Sequence, residues 1–472
     1  MNPEPFRISY KVRASLVCGV VAALSFIARN FHLDDALIYA RYISHALQGR
    51  GLEFNPGEPV NALTSILSTW LVLALSWVLH HNVLLAEAIL SAVFLAAAAL
   101  LAERIVPLSG LLFASLGVIY YCIGMETSLF VFLLALTIYA YATDRLNWLP
   151  TLCVLAALAR FEGAALVLVI GWRLWKQNRR PKLSSFAPAV LLIVFYFAFN
   201  VFFYHVLLPQ SATAKFGQGF SGYWGRWPIA FLRLPETVFK PFGKSYVLAL
   251  ALLVFAAFGL KDRRLSKWNE VLVPFLVILG AFYLLFNIPS YHWYYPPILF
   301  FLLIYAICLV PQTRAAQAAA LFLILCTAGA TASDLRKNAY ENLPYRDLAL
   351  WMNANTPSNA RIASVETGTL GWYSDRYFID LVGLTTPINA RYTAHREFSA
   401  WLAERPDYVV VHPDNPFPWE KAALDSPDFE FAPVHFGQVY LLRRKTPNIQ
   451  GTTSALPSDR QPAQPSSSAP AH

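Results

Sequence analysis

The stretch that decides the fold follows the first hydrophobic segment, residues 14–29, and reads Phe31-His32-Leu33-Asp34-Asp35-Ala36-Leu37-Ile38-Tyr39-Ala40-Arg41-Tyr42. Two adjacent carboxylates at a membrane boundary are costly and are rarely there only to be solvated. Arg7, Lys11 and Arg13 precede the segment, so the positive-inside rule keeps the N-terminus in the cytoplasm. The acidic pair then lies on the outer face of the membrane, where we expect the chemistry to occur.

The composition excludes a soluble protein. The chain has 472 residues, 57% of them hydrophobic and 14% charged, whereas about 25% of the residues in a soluble protein are charged. It is predicted to be an α-helical protein with many membrane spans. No small-residue cleavage site follows the first segment, which indicates an uncleaved anchor rather than a signal peptide. Much of the net charge of +9 lies in basic clusters within 173–182 and 261–267, which suit anionic lipid better than nucleic acid.

Two of the hydrophobic segments admit more than one interpretation. Segment 148–175 carries Arg160 and Glu162 at its middle, and we interpret it as two short half-spans, because a charge pair in hydrocarbon is expensive. Segment 62–79 opens with polar residues and is interpreted as a helix that enters the outer leaflet and returns. The conventional alternative leaves Glu126 inside and the charge pair in hydrocarbon. The segments, which give about eleven crossings, are 14–29, 62–79, 83–103, 107–122, 128–143, 148–175, 185–207, 246–260, 270–288, 296–311 and 315–333.

The sequence changes character after the last span. Residues 1–333 form the transmembrane module, with a first outer loop at 30–82, whereas residues 334–445 have shorter apolar runs and more turn-forming residues. We predict a small α/β domain there, on the outer face by the parity of eleven crossings. Residues 446–472 are rich in Pro, Ser, Ala and Gln and are predicted to be a disordered tail. The predicted strands are 361–365, 377–381, 408–412 and 439–443, and the predicted helices lie near 345–354 and 396–403.

The acidic pair has two interpretations. A helix that opens at Asp34 and runs to about Gln48 puts Asp35 beside Tyr39 and presents Arg41 on the same helix. A carboxylate near an arginine is what a general base and an anion-binding group require. Alternatively, Asp34 is only an N-cap and Asp35 only favours the helix dipole. The local pattern does not separate these two interpretations.

Other charged candidates lie at predicted outer boundaries. Glu126 stands between two apolar runs, and its alternative role is that of an acid at a helix start. Arg160 and Glu162 could equally be a structural ion pair. Lys215 begins a long outer loop, and His292 lies among tyrosines at another boundary, where aromatic residues are usually an interfacial belt. The sequence has no Walker-type loop, Rossmann glycine fingerprint or His/Cys metal spacing, so nothing supports nucleotide-driven or zinc chemistry.

Several motifs match a known family in the same order along the chain. They are Asp34 to Tyr42, Gly51 to Val60, Gly124-Met125-Glu126-Thr127, Ala159-Arg160-Phe161-Glu162-Gly163, Pro209 to Lys215, Gly368 to Ser374 and Ile379 to Thr385. Together they resemble the polytopic glycosyltransferases of the GT-C fold, especially the bacterial branch related to mycobacterial arabinofuranosyltransferases. Each motif alone is weak, but their order is specific.

The resemblance implies a multi-pass enzyme of the bacterial inner membrane. It would move a monosaccharide, arabinofuranose being one candidate, from a polyprenyl-phosphate donor to a glycan, lipid or protein acceptor on the outer face, with inversion. Asp34 would be the base that deprotonates the acceptor hydroxyl. No cofactor is predicted, and a divalent cation at Asp34 and Asp35 stays open, although one pair supplies too few ligands for a metal site. The residues that would bind donor, acceptor or leaving phosphate are Asp35, Arg41, Glu126, Arg160, Glu162, Lys215 and His292.

Two other classes of protein compete with an enzyme. A transporter or flippase of lipid-linked sugars also needs polar residues in its spans, but its sites should lie near the bilayer midplane between repeated halves. Here the acids gather on one face and no repeat is apparent, which favours an enzyme. A scaffold whose outer domain binds partners would explain that domain but not the acidic pair.

Overall fold

The structure is a computed structural model that describes residues 8–225, 227, 230–239, 245–338 and 343–445. The predicted disordered tail, 446–472, lies outside the described residues. The described helices are α1 Tyr10–Ala28, α2 Asp34–Leu47, α3 Ile66–Val78, α4 Val83–Ile105, α5 Ser109–Ala114, α6 Thr127–Ala142, α7 Leu149–Ala159, α8 Ala164–Lys176, α9 Ala187–Phe199, α10 Gln210–Ser221, α11 Leu234–Phe239, α12 Ser245–Gly259, α13 Ser266–Leu285, α14 Pro296–Ile307, α15 Arg314–Asn338, α16 Leu343–Asn355, α17 Gly368–Ser374, α18 Pro387–His395 and α19 Pro418–Leu424. The strands are β1 Arg361–Ser364, β2 Tyr377–Asp380, β3 Tyr408–Val411, β4 Phe429–Phe436 and β5 Val439–Arg444.

Apolar helices of membrane-spanning composition dominate the chain. Among the described residues, five helical stretches are long and apolar enough to cross a membrane, and five shorter apolar helices accompany them. The number of crossings therefore stays a prediction. The long stretches are Tyr10–Ala28, Val83–Ile105, Leu183–Tyr204, Arg263–Leu285 and the stretch that contains α15.

The predicted span 107–122 is wrong as a single helix. The structure divides it into α5 and a 3₁₀ turn at Gly117–Cys122, separated by Leu116 in extended conformation. Most of its residues are buried inside the protein, and a Cβ on Gly110 would lie 1.9 Å from the carbonyl oxygen of Ala99 in α4. An apolar run buried by protein has the same composition as one buried by lipid, so periodicity could not separate them.

The predicted break within 148–175 is confirmed. Helix α7 ends at Ala159, Arg160 has an extended backbone with φ −156° and ψ 141°, and a 3₁₀ turn at Phe161–Gly163 leads into α8. The turn requires glycine at position 163, because a Cβ there would lie 2.3 Å from the carbonyl oxygen of Ala156. The charged side chains of Arg160 and Glu162 therefore project from a corner between two helices.

The C-terminal sheet is mixed, with strand order β2-β1-β3-β5-β4. Strand β1 is parallel to both β2 and β3, whereas β5 is antiparallel to β3 and β4. The four predicted strands are confirmed. The sequence analysis missed edge strand β4, which contains Pro433 and an irregularity between Phe431 and His435. The predicted helix 396–403 is only a 3₁₀ turn at Ala400–Glu404, and α17, α18 and α19 were not predicted.

Both faces of the sheet are covered by other parts of the protein. Successive side chains along a strand point to opposite faces, so each strand contributes buried residues to both. One face packs against the core of the helical module and carries Ile362, Phe378, Val410 and Leu441. The other face packs beneath Trp401 and Trp419 and carries Ala363, Ile379, Val409, Val411 and Leu442.

The first outer loop is attached to the edge of this sheet. The side-chain amide of Asn55 donates to the carbonyl oxygen of Phe378 at 2.9 Å and accepts from its N–H at 3.0 Å. Asn55 therefore pairs with β2 as the backbone of a neighbouring strand would. This contact fastens the loop that follows α2 to the edge of the sheet.

Candidate active site

A cavity of about 400 Å³ lies between α2, α8, α10 and α13. This volume is within the usual range for small-molecule sites. Five of the eight predicted site residues line the cavity, whereas Asp34, Arg41 and His292 do not. The five are Asp35, Glu126, Arg160, Glu162 and Lys215.

Arg160 bridges two carboxylates at the cavity wall. Its Nη1 lies 2.8 Å from Oε1 of Glu126, and its Nη2 lies 2.8 Å from Oε1 of Glu162. The hydroxyl of Tyr283 also donates to Oε1 of Glu162, at 2.8 Å. The three charged side chains are at most 9% exposed. Arg160 therefore forms an ion pair with Glu162, one of the two alternatives that the sequence left open, and it also pairs with Glu126.

Glu126 does not act as a helix cap. It is the residue before α6, but its side chain accepts no capping hydrogen bond. Its Oε2 instead accepts from the hydroxyl of Tyr39 at 3.4 Å, and that hydroxyl in turn accepts from the N–H groups of Thr64 at 3.0 Å and Ser65 at 3.1 Å. Tyr39 thus links α2, the end of the first outer loop and Glu126 in one network.

Asp34 is not the N-cap of its own helix. It is the first residue of α2, and the residue before it, Leu33, makes no side-chain cap. The two carboxylate oxygens of Asp34 accept from the N–H groups of Gly368, at 2.9 Å, and Thr369, at 2.7 Å. A Cβ at position 368 would lie 1.8 Å from the carbonyl oxygen of Asp34, so this approach requires glycine. Asp34 therefore joins α2 to the start of α17.

Asp35 is the member of the acidic pair that faces the cavity. Its Oδ2 lies 4.0 Å from Nζ of Lys215. Burial raises the pKa of Asp35 above its ordinary value, while the charge of Lys215 opposes that rise and the charge of Asp34 adds to it. A partly buried carboxylate of raised pKa beside a cation is suited to accept a proton.

Lys215 is held by aromatic rings as well as by Asp35. Its Nζ lies 4.2 Å from the ring centroid of Tyr291 and 5.5 Å from that of Trp293. Burial lowers the pKa of Lys215, and the nearby carboxylate of Asp35 counteracts this effect. The aromatic run at 291–295 therefore does more than form an interfacial belt, because two of its rings fix the direction of this ammonium group.

Arg41 and His292 lie away from the cavity. Arg41 donates to the carbonyl oxygens of Phe54 at 2.8 Å, Arg376 at 2.6 Å and Gly371, and its guanidinium stacks on the ring of Phe54. The His292 ring packs against Tyr121, with 6.1 Å between the ring centroids. These placements argue against the predicted contact of either residue with the donor phosphate.

The cavity has an apolar side that reaches the protein surface. Leu168 of α8 and Ile278 of α13 line the cavity and are 69% and 40% exposed, respectively. On membrane helices, exposed leucine and isoleucine are suited to contact lipid. The arrangement can accommodate a ligand with an anionic head near Lys215 and an apolar tail between α8 and α13.

Solved structures share this architecture. ArnT from Cupriavidus metallidurans bound to undecaprenyl phosphate matches with a TM-score of 0.54 and 11% identity, over 91% of this chain and 97% of ArnT. The apo state of ArnT matches over the same shares with 12% identity and a TM-score of 0.54. The chain has the GT-C fold. The predicted fold class is thereby confirmed.

Other comparisons add less. The arabinofuranosyltransferase AftD from Mycobacteria aligns with 14% identity over 93% of this chain and 40% of AftD, at a TM-score of 0.46, and the fold assignment does not rest on it. Residues 333–455 match a family model described as a domain of unknown function, DUF8728. No curated protein sequence matches the chain.

The sequence analysis missed two acidic residues. Glu366 follows β1; burial raises the pKa of its carboxyl group above the ordinary value, and the negative charges of Asp34 and Asp35 raise it further. Glu87 lies in α4, is 2% exposed, and neither of its carboxyl oxygens has a hydrogen-bond partner among the described residues. The sequence carried a signal for both residues, since Glu366 directly follows a predicted strand and Glu87 lies within an apolar segment.

Within the described ranges, no group of three or more His, Cys, Asp or Glu residues is arranged to hold a metal ion.

Proposed function

We propose that this chain is a membrane glycosyltransferase that moves a monosaccharide from a polyprenyl-phosphate donor to an acceptor hydroxyl. The observation that carries the proposal is the pairing of Asp35 with Lys215 in a cavity whose other side is apolar and exposed. A base, a phosphate-binding cation and a surface for an isoprenoid chain are the three elements that this reaction needs. ArnT, which has the same fold, was solved with undecaprenyl phosphate bound.

Asp35 acts as the general base in this proposal, in place of Asp34. The two oxygens of Asp34 already accept backbone N–H groups, whereas Asp35 lines the cavity. Asp35 takes the proton of the acceptor hydroxyl while the acceptor oxygen attacks the anomeric carbon. The bond between that carbon and the phosphate oxygen breaks, its electron pair stays on the phosphate, and the anomeric configuration inverts.

Lys215 binds the leaving phosphate. Of the two basic residues that line the cavity, Arg160 is already paired with two carboxylates, whereas Lys215 faces one carboxylate at 4.0 Å. A charge-assisted contact from an ammonium group stabilises the charge that develops on the phosphate as the sugar departs. Glu126 and Glu162 remain as acceptors of hydrogen bonds from sugar hydroxyls.

The setting of the reaction is the outer face of the bacterial inner membrane. Basic clusters near 173–182 and 261–267 favour the cytoplasmic side for the loops that carry them. The acceptor class is a hydroxyl-bearing cell-envelope glycan, lipid or protein, and arabinofuranose is one candidate sugar. This assignment would make the C-terminal sheet an outer domain.

A transfer assay in detergent tests the proposal, because a micelle removes the two sides of the membrane. The purified protein should form a new glycosidic bond between a polyprenyl-phosphate sugar and an extracted envelope acceptor. Asp35→Asn should abolish most of the product, whereas Asp414→Asn, at an exposed position away from the cavity, should not. A protein that only moves lipid-linked sugar across liposomes, and forms no bond with any acceptor, would be a flippase.

A further inference from the structure

The hydroxyl of Ser211 is a buried hydrogen-bonding group at the wall of the cavity. Ser211 is 3% exposed, and its Oγ has no hydrogen-bond partner among the described residues. The residue lines the same cavity as Asp35 and Lys215. A buried hydroxyl without a partner is costly, and proteins seldom keep one unless a water molecule or a ligand completes its hydrogen bonds. The cavity is where such a partner can enter.

Ser211 and Lys215 lie one helical turn apart on α10. Residues four positions apart occupy the same face of a helix, and both of these residues line the cavity, as does Ala212 between them. The hydroxyl group can donate one hydrogen bond, and the ammonium group donates only. Together they suit a ligand that carries several acceptor oxygens.

The first turn of α10 adds backbone donors to these side chains. Pro209, the residue before the helix, makes no side-chain cap, and the first turn contains no acidic residue. The N–H groups of Ser211 and Ala212 belong to this turn, so they have no acceptor within the helix. Such N–H groups and the helix dipole both favour an anion at the start of a helix.

Contacts from two other parts of the protein fix the start of α10. The N–H group of Gln210 donates to the carbonyl oxygen of Asn61, at the end of the first outer loop, at 2.7 Å. The side-chain amide of Asn61 donates in turn to that of Asn200 at 2.8 Å. The side-chain amide of Gln210 donates to the carbonyl oxygen of Gly383 in the C-terminal domain at 3.3 Å. A site that is fixed before its ligand arrives binds with a smaller loss of conformational freedom.

We propose that the first turn of α10 is a phosphate-binding site, in which the hydroxyl of Ser211 and the N–H groups of Ser211 and Ala212 act together with Lys215. The ligand is the phosphate headgroup of a lipid whose apolar chain lies between α8 and α13. The oxygens of a phosphate can accept from all of these donors at once. That this lipid is the sugar donor rests on the proposed function, whereas binding of the lipid phosphate does not.

Binding of polyprenyl phosphate to the purified protein in detergent tests the site without any transfer reaction. Ser211→Ala should weaken binding by about tenfold or more, the loss expected for a hydrogen bond to a charged group. Thr213→Ala is the matched control, because it removes a hydroxyl at an exposed position of α10 outside the cavity lining, and it should bind like the wild type. Equal affinity of Ser211→Ala and the wild type for polyprenyl phosphate would overturn the proposal.

Two further ligands separate a headgroup site from the alternatives. Polyprenol, which lacks the phosphate, should bind equally to Ser211→Ala and the wild type, and an equal loss of polyprenol binding would show a structural effect and overturn the proposal. Inorganic phosphate should displace polyprenyl phosphate only at a large excess, since it lacks the chain. Displacement at equal concentrations would make free phosphate the ligand and overturn the assignment to a lipid.

The transfer assay distinguishes failure of this site from failure of the proposed function. If the chain is a transferase, Ser211→Ala should raise KM for the donor, whereas Thr213→Ala should leave KM unchanged. A protein that forms no glycosidic bond, yet binds polyprenyl phosphate more weakly after Ser211→Ala, would refute the transferase and support the phosphate site.

Discussion

Oδ2 of Asp35 and Nζ of Lys215 face each other across the cavity at 4.0 Å, although the two residues are 180 positions apart in the chain. The distance is longer than a direct hydrogen bond, which leaves both groups able to contact a ligand. Burial favours the neutral form of each group, and the opposite charge of its partner favours the ionised form. Substitution of either residue should therefore change both binding and the titration of the other.

Asp35→Asn should lower turnover by about 10² to 10⁴, the range expected when a general base is lost. Asp34→Asn should instead lower stability, because the asparagine has only one oxygen left to accept the two N–H groups of α17. Turnover and thermal unfolding of both variants in detergent separate these effects. The assignment of the base to Asp35 would be wrong if Asp34→Asn lost as much turnover while it unfolded at the wild-type temperature.

Lys215→Met should weaken use of the polyprenyl-phosphate donor. A charge-assisted phosphate contact contributes about 1.5 to 3 kcal/mol, or about 10- to 150-fold in kcat/KM for the donor. Lys215→Arg should recover part of this loss because the charge is kept. Lys421→Met, at an exposed position in α19, is the control and should behave like the wild type. Unchanged donor kinetics in Lys215→Met would exclude a phosphate contact.

Arg160→Met should destabilise the protein strongly. The substitution leaves Glu126 and Glu162 buried without their cation, and loss of one partner of a buried ion pair costs about 3 to 5 kcal/mol. The double variant Arg160→Met, Glu126→Gln should be less unstable than Arg160→Met, since one uncompensated charge is removed. Denaturant unfolding in mild detergent measures the difference. Equal stability of the two variants would indicate that Glu126 is not ionised in the native protein.

Asp35 should also contribute to the dependence of stability on pH. Because burial raises the pKa of Asp35 in the folded state, its contribution is complete below the ordinary value of 3.8 and is lost as the pH rises through the folded-state value. Thermal unfolding between about pH 4 and pH 8 should therefore depend less on pH in Asp35→Asn than in the wild type. An identical slope in both proteins would contradict the raised pKa.

Labelling of single cysteines can test the topology. In a variant without the natural cysteines, a cysteine at Gln48 or Asp425 should react from outside with a membrane-impermeant thiol reagent, and one at Gln177 should not. All three positions are exposed in the structure, so access to the reagent depends on the side of the membrane. Labelling of Gln177 alone from outside would invert the proposed orientation.

Features encoded by neighbouring residues could be predicted, and features made by distant residues could not. The break at Arg160 was predictable because charges within an apolar run are visible locally. The separate roles of Asp34 and Asp35 were not, because they depend on the N–H groups of Gly368 and Thr369. Adjacent helical residues point about 100° apart, so one position decides which carboxylate meets the sheet and which meets the cavity.

The prediction of a membrane span at 107–122 was wrong for the same reason, because distant residues decide the structure of this segment. Its composition suits a span, but close packing of Gly110 on Ala99 makes it an internal element. Strand β4 was missed because Pro433 argues against a strand and because burial along this edge strand does not alternate regularly.

The hydrogen bonds from Gly368 and Thr369 to Asp34 also determine when, during translation, the start of α2 can reach its final structure. Asp34 is made early, but the N–H groups that hold it are made 334 and 335 residues later. Until α17 has been translated and has packed against α2, the carboxylate of Asp34 lacks these two donors. Under the proposed function, a nascent chain would therefore gain transferase activity only after almost all of its sequence had been translated.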